Sequence, residues 1–159
     1  MKLLLFRHGI AEDQGADGDD ASRALTKEGM ARTQSAARGL VRIADQPDVI
    51  LTSPKRRARQ TADIIAGLFD MQPQVLEAIA AGSVDAILKA LTTRTERNVM
   101  IVGHEPTFSE LIERVCAGRV GGFVQLKKAG CACVELQNGR GTLQWLMMPR
   151  QLRELGNGG

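Results

Sequence analysis

Residues 2–9 read Lys2-Leu3-Leu4-Leu5-Phe6-Arg7-His8-Gly9. Four consecutive large apolar residues bounded by charge make a strand buried on both faces. The run stops abruptly at Arg-His-Gly, as a buried strand does when it meets a turn. The pattern recurs twice. Val49-Ile50-Leu51-Thr52 leads into Ser53-Pro54-Lys55-Arg56-Arg57, and Val99-Met100-Ile101-Val102 leads into Gly103-His104-Glu105-Pro106.

Helical patterns lie between these runs. Thr26 is placed to cap a helix from about Lys27 to Ala44, with Met30, Gln34, Ala37, Leu40, Val41 and Ala44 on its inner side. Ser53 as N-cap and Pro54 as first helical residue predict a helix to about Asp70, with Ala58, Ala62, Ile65 and Phe69 on one face. Ser83 caps a predicted helix over Val84–Leu91, and Phe108, Leu111, Ile112 and Val115 line another. Val75–Leu76 reads as a short edge strand. Cys131–Leu136 and Thr142–Met147 read as a hairpin about Asn138-Gly139. Strand and helix in alternation predict an α/β fold: three α/β/α layers, a mainly parallel sheet and antiparallel C-terminal strands. One domain is expected over residues 1–155, with Gly156–Gly159 a flexible tail.

Composition narrows the function. The 159 residues suit one domain; 43% are hydrophobic and 25% charged. No apolar run approaches the ~18–20 residues of a membrane span, and Leu3–Phe6 is too short for a signal-peptide core. A cytoplasmic protein without membrane contact is expected. The net charge of +3 is mildly basic, but four Phe, one Trp and no Tyr leave little to stack bases on, so nucleic acid is not expected as a partner. Cys116, Cys131 and Cys133 are odd in number and read as structural thiols. None has an Arg six positions on, as a cysteine phosphatase loop would need. Ala11–Ala24 is a polar loop whose Asp13, Asp17, Asp19 and Asp20 lack calcium-loop spacing, so no metal is expected there.

The chain has only two histidines, His8 and His104, and each lies just past the carboxyl end of a buried strand. Open α/β sheets bind ligands there. The third strand end brings Arg57 on the first turn of a helix, where anions are favoured. Arg7, His8, Arg57 and His104, with only Glu105 as a carboxylate in the same motifs, suit a tetrahedral dianion.

Arg7-His8-Gly9 resembles the signature of the histidine phosphatase superfamily, the phosphoglycerate mutase-like fold. Ser53-Pro54-x-x-Arg57-Ala58-x-Gln60-Thr61 is similar to its second motif and Gly103-His104-Glu105-Pro106 to its third. Arg23-x-Leu25-Thr26-x-x-Gly29 is similar to the stretch before its first helix. The matches occur in family order from residue 3 to about 110, and the short Arg-His-Gly-x-Ala start resembles the SixA-type branch.

The resemblance implies a phosphatase that needs no metal or other cofactor. His8 would be the nucleophile, passing through a phosphohistidine intermediate, and Arg7, Arg57 and His104 would hold the phosphoryl oxygens. Metabolite-processing members carry a large cap insertion with a carboxylic acid. The 46 residues between Arg57 and His104 leave no room for one; Glu77, which follows the short strand Val75–Leu76, is a candidate general acid, with a plain surface Glu as the alternative reading. An uncovered site implies a phosphohistidine-bearing protein as substrate, such as a signalling phosphotransfer domain. Lys55, Arg56 and Arg59 are then expected to meet an acidic partner. Two alternatives stay open: a small-molecule phosphomonoesterase or mutase with the same nucleophile, and a non-catalytic phosphate- or phosphoprotein-binding module.

Overall fold

The computed structural model describes residues 1–158. In chain order its elements are β1 (Lys2–Arg7), α1 (Lys27–Val41), β2 (Val49–Thr52), α2 (Arg56–Leu68), β3 (Gln74–Val75), α3 (Glu77–Ala80), α4 (Val84–Thr92), β4 (Asn98–Gly103), α5 (Thr107–Ala117), β5 (Cys131–Gln137), β6 (Arg140–Met147) and α6 (Pro149–Asn157). A 3₁₀ turn spans Asp20–Ser22. The strands form one sheet in the order β3-β2-β4-β1-β5-β6. β1 to β4 are mutually parallel; β5 runs antiparallel to β1, and β6 antiparallel to β5.

Strand alternation divides the core into two layers. Leu3, Leu5, Val99, Ile101, Ala132 and Val134 face α3, α4 and α5, packing with Ile79, Ile87, Phe108 and Leu111. Leu4, Phe6, Met100, Val102, Cys131 and Cys133 face α1, α2 and α6, packing with Leu40, Ala62, Ile65 and Leu152. Both faces of the central strands are therefore dry, which is why their sequences run apolar without a break. Cys131 and Cys133 are buried and free, packed in the layer that faces α1, α2 and α6, and Cys116 is exposed and free.

The α1 reading needs correction. The helix ends at Val41 rather than near Ala44, and Met30 and Val41 are exposed. Its buried side is Gly29, Thr33, Ala36, Ala37 and Leu40, with Ser35 and Gly39 turned toward α6. The cause is α6, which the sequence reading did not foresee. Gly156 and Asn157, expected in a loose tail, are the last residues of that helix; Gly159 lies outside the described residues. A Cβ on Gly39 would sit 1.8 Å from the Leu152 carbonyl oxygen, and one on Gly156 would sit 2.1 Å from that of Ser35. Two helix backbones thus meet through glycine, a contact that leaves no hydrophobic periodicity to detect.

Candidate active site

β4 lies between β1 and β2, so the three motif-bearing strand ends are adjacent. The ladder continues past the strands: His8 N–H donates to the Gly103 carbonyl at 3.0 Å, and Ser53 N–H to that of Val102 at 3.1 Å. The His8 and His104 rings consequently face each other, with centroids 5.2 Å apart and planes tilted by 57°. Arg57, on the first turn of α2, completes the group.

His8 is 6% exposed, and its tautomer follows from its partners. Nδ1 lies 2.7 Å from the Gly9 carbonyl oxygen, which can only accept. The proton therefore sits on Nδ1, and Nε2 keeps its lone pair. Arg57 Nε–H donates to that Nε2 at 3.3 Å. Burial, then the charges of Arg57, Arg7 and Lys128, lower the His8 pKa to about 4 against the opposing Gly9 hydrogen bond. His104 is lowered to about 3, first by burial and then by His8, Arg57 and Lys55.

Both imidazoles are thus neutral at pH 7, and the effect on stability has a definite sign. Below the unfolded value of ~6.5 the unfolded chain takes up protons that the folded chain refuses. Stability contributed by the pair is complete above that value and is lost as pH falls toward 4. Acidic groups held low, such as Glu113, weigh in only below their ordinary range, while Glu105, raised by burial, opposes the trend. The melting temperature is therefore expected to fall between pH 6.5 and 4.5. The fall should be flatter in His8→Gln/His104→Gln, measured by circular dichroism. An equal slope in the variant would contradict the neutral assignment.

Ser53 was read as the N-cap of α2, with Pro54 as its first residue. The helix instead begins at Arg56, with Lys55 at the cap position and no side-chain cap. Ser53 Oγ is drawn away to His104 Nε2 at 2.8 Å and accepts from Lys55 N–H at 3.3 Å. When the Ser53 hydroxyl donates to Nε2, the proton of neutral His104 sits on Nδ1, which is buried without a partner. In that tautomer an unsatisfied donor lies beside His8.

Asp20 is a site contact that the sequence reading missed. Arg57 Nη1 donates to its carbonyl oxygen at 2.6 Å and Nη2 to its carboxylate at 3.1 Å. Lys55 and Arg23 grip the same carboxylate, which is held far below the usual range. Asp20 thereby orients Arg57, and its only sequence signal was membership of an Asp-rich loop after Arg7-His8-Gly9. Arg7 is oriented differently. Nη1 donates to the Leu126 carbonyl at 2.9 Å, while Nε is buried without a partner. The loop carrying Leu126 is held by Glu113, whose carboxylate accepts from the N–H groups of Gly121, Gly122 and Val124.

Gly9 is needed for packing: a Cβ there would lie 2.2 Å from Thr33 Oγ1. Glu77 is exposed at the start of α3, one residue past Leu76, whose N–H bonds to the Thr52 carbonyl. It stands at the same end of the sheet as the histidines. The segment between α2 and β4 is taken up by β3, α3 and α4. No group of three or more metal-ligating side chains is found among the described residues. Among the described residues no helix is long and apolar enough to cross a membrane.

These features can be set beside known proteins. The family model of the histidine phosphatase superfamily (branch 1) matches residues 3–81. An uncharacterised protein of Picosynechococcus sp. is 38% identical over 149 residues, covering 91% of this chain and 89% of its own. The solved structure of the protein histidine phosphatase SixA complexed with tungstate is similar with a TM-score of 0.83 and 28% identity, over 96% of this chain and 99% of that one. The alpha-ribazole phosphatase of Shigella flexneri shares the fold at a TM-score of 0.78 and 18% identity, over 94% and 97% of the two chains. With its ordered motifs meeting in one crevice and its fold matched along nearly the whole length, the chain belongs to the histidine phosphatase superfamily.

Proposed function

We propose that this protein is a metal-independent phosphohistidine phosphatase acting on protein-borne phosphohistidine. The observation that carries the chemistry is the His8 tautomer: a buried neutral imidazole with its Nε2 lone pair turned to Arg57. The resemblance to SixA, and a span between α2 and β4 that holds only β3, α3 and α4, support the choice of substrate. Tungstate, bound by that relative, is a tetrahedral oxyanion like phosphate.

In the first step the Nε2 lone pair attacks phosphorus. The P–N bond of the substrate breaks, and the leaving imidazole nitrogen keeps the electron pair and takes a proton. Glu77 or water supplies that proton. The substrate phosphoryl displaces the Arg57–His8 contact, so that Arg57, Arg7 and the free Nδ1–H of His104 meet its oxygens. Water then attacks the phosphoryl group on His8, its proton passing to the group that gave one up in the first step, Glu77 or solvent. The P–N bond breaks, the electron pair returns to Nε2 and phosphate leaves. Transfer between two imidazoles is nearly thermoneutral, so positioning outweighs acid catalysis.

The test compares kcat/KM on a phosphohistidine-bearing phosphotransfer domain with a panel of phosphoserine, phosphotyrosine, sugar phosphate and nucleotide esters, each with and without EDTA. The phosphohistidine protein should be turned over most efficiently, and EDTA should have no effect. A more efficient ester would give the site to small molecules. Loss of activity in EDTA, restored by Mg²⁺ or Zn²⁺, would end the metal-independent mechanism.

A further inference from the structure

A second concave surface adjoins the crevice on its β5 side. It measures about 590 Å³ and is shaped by three segments distant in sequence: Gly29 and Arg32 of α1, Lys127–Ala129 before β5, and Pro149, Arg150 and Arg153 of α6. Arg7 lines it too, so it opens directly beside the reacting groups. The Lys127–Ala129 segment is tied to the same strand end, since Ala129 N–H donates to the carbonyls of Arg7 and His8.

Six cationic side chains line this surface, and no carboxylate does. Arg32 and Arg150 pair with Glu28 and Glu154 on their own helices, through side chains that are largely solvent-exposed. Lys127, Lys128 and Arg153 make no ion pair among the described residues. On the opposite flank Lys55 is engaged by Asp20, while Arg56 and Arg59 share their depression with Asp63. Arg56 and Arg59 also make no ion pair among the described residues, but Asp63 lines their depression, whereas no carboxylate lines the larger cationic cluster on the α6 side. That cluster is separate from Lys55, Arg56 and Arg59, the charges expected to meet an acidic partner.

We infer that this surface is a docking site for an acidic peptide segment of the protein substrate, next to its phosphohistidine. The inference rests on the phosphohistidine reading of the site. Charge calls for a polyanion. The volume is that of several side chains rather than one inorganic ion, and Ile10, Ala129 and Pro149 offer aliphatic contact that a bare phosphate would not use. No aromatic side chain lines it, so nothing there stacks a nucleotide base.

The test uses the full chain, a Lys127→Glu/Arg153→Glu variant and an Arg56→Glu/Arg59→Glu control. An (Asp-Ala)₄ peptide is titrated calorimetrically at low salt, independently of any phosphohistidine chemistry. The first variant should weaken peptide binding by about tenfold or more, and the control by less than about twofold. On the phosphohistidine protein, kcat/KM should fall by a similar factor through KM in the first variant only, while phosphoramidate hydrolysis stays within about twofold. Absent peptide binding, equal losses in both variants, or a parallel loss on phosphoramidate would overturn the docking site, as would tighter binding of oligouridylate than of the peptide. If the first variant alone loses peptide binding but no phosphohistidine protein is turned over, the docking site stands and the proposed substrate falls.

Discussion

His8→Ala is expected to abolish turnover, with a loss of about 10⁴-fold or more in kcat. In the proposed mechanism the ring supplies the bond-forming lone pair. The remaining histidine, His104, has Nε2 engaged with Ser53 Oγ at 2.8 Å. The unaltered protein, mixed briefly with labelled substrate and quenched in base, should carry one label on His8. A phosphoramidate survives base and is lost in acid, whereas a phosphoserine formed on Ser53 would survive acid. Substantial activity in His8→Ala, or base-stable label on His104, would reassign the nucleophile.

Arg57→Ala should cost at least about 10² in kcat/KM, the scale of a lost charge-stabilising donor. Arg56→Ala should cost less than about threefold. The two are neighbours on the first turn of α2, yet Arg57 is 6% exposed and bonded to His8, whereas Arg56 is exposed. Arg57→Lys should rescue little, because one ammonium cannot hold Asp20 and a phosphoryl oxygen in the planar arrangement of a guanidinium. Steady-state kinetics on the three variants would settle the ranking, and a larger loss at Arg56 would place the wrong residue in the crevice. The Arg57 result also tests Asp20: if Asp20 orients the guanidinium, Asp20→Asn should move kcat/KM in the same direction, by less.

Much of this molecule is legible from local pattern. A strand dry on both faces must be apolar at every position, so Leu3–Phe6, Val49–Leu51 and Val99–Val102 announce themselves. The polar residues that end them, Arg7-His8, Ser53 and His104, are conspicuous for the same reason. The closing hairpin about Asn138-Gly139 is equally local.

What tertiary structure alone decided depends on partners far apart in the chain. Ser53 has the local credentials of a helix cap, yet a hydrogen bond to His104, 51 residues on, outweighs a cap worth ~1 kcal/mol. Asp20 lies in a loop without periodicity, and its link to Arg57 exists only because that loop folds over the start of α2. α6 rests on α1 through Gly39 and Gly156, and close backbone contact carries no apolar signature. The basic docking surface is the largest such case. Arg32, Lys127, Lys128 and Arg153 are scattered over the sequence and become one field only when α1, α6 and the approach to β5 close around Arg7. Hydrophobic burial is periodic along the chain and can be read from it, whereas hydrogen bonds and charge clusters between distant segments have no period and appear only in the folded chain.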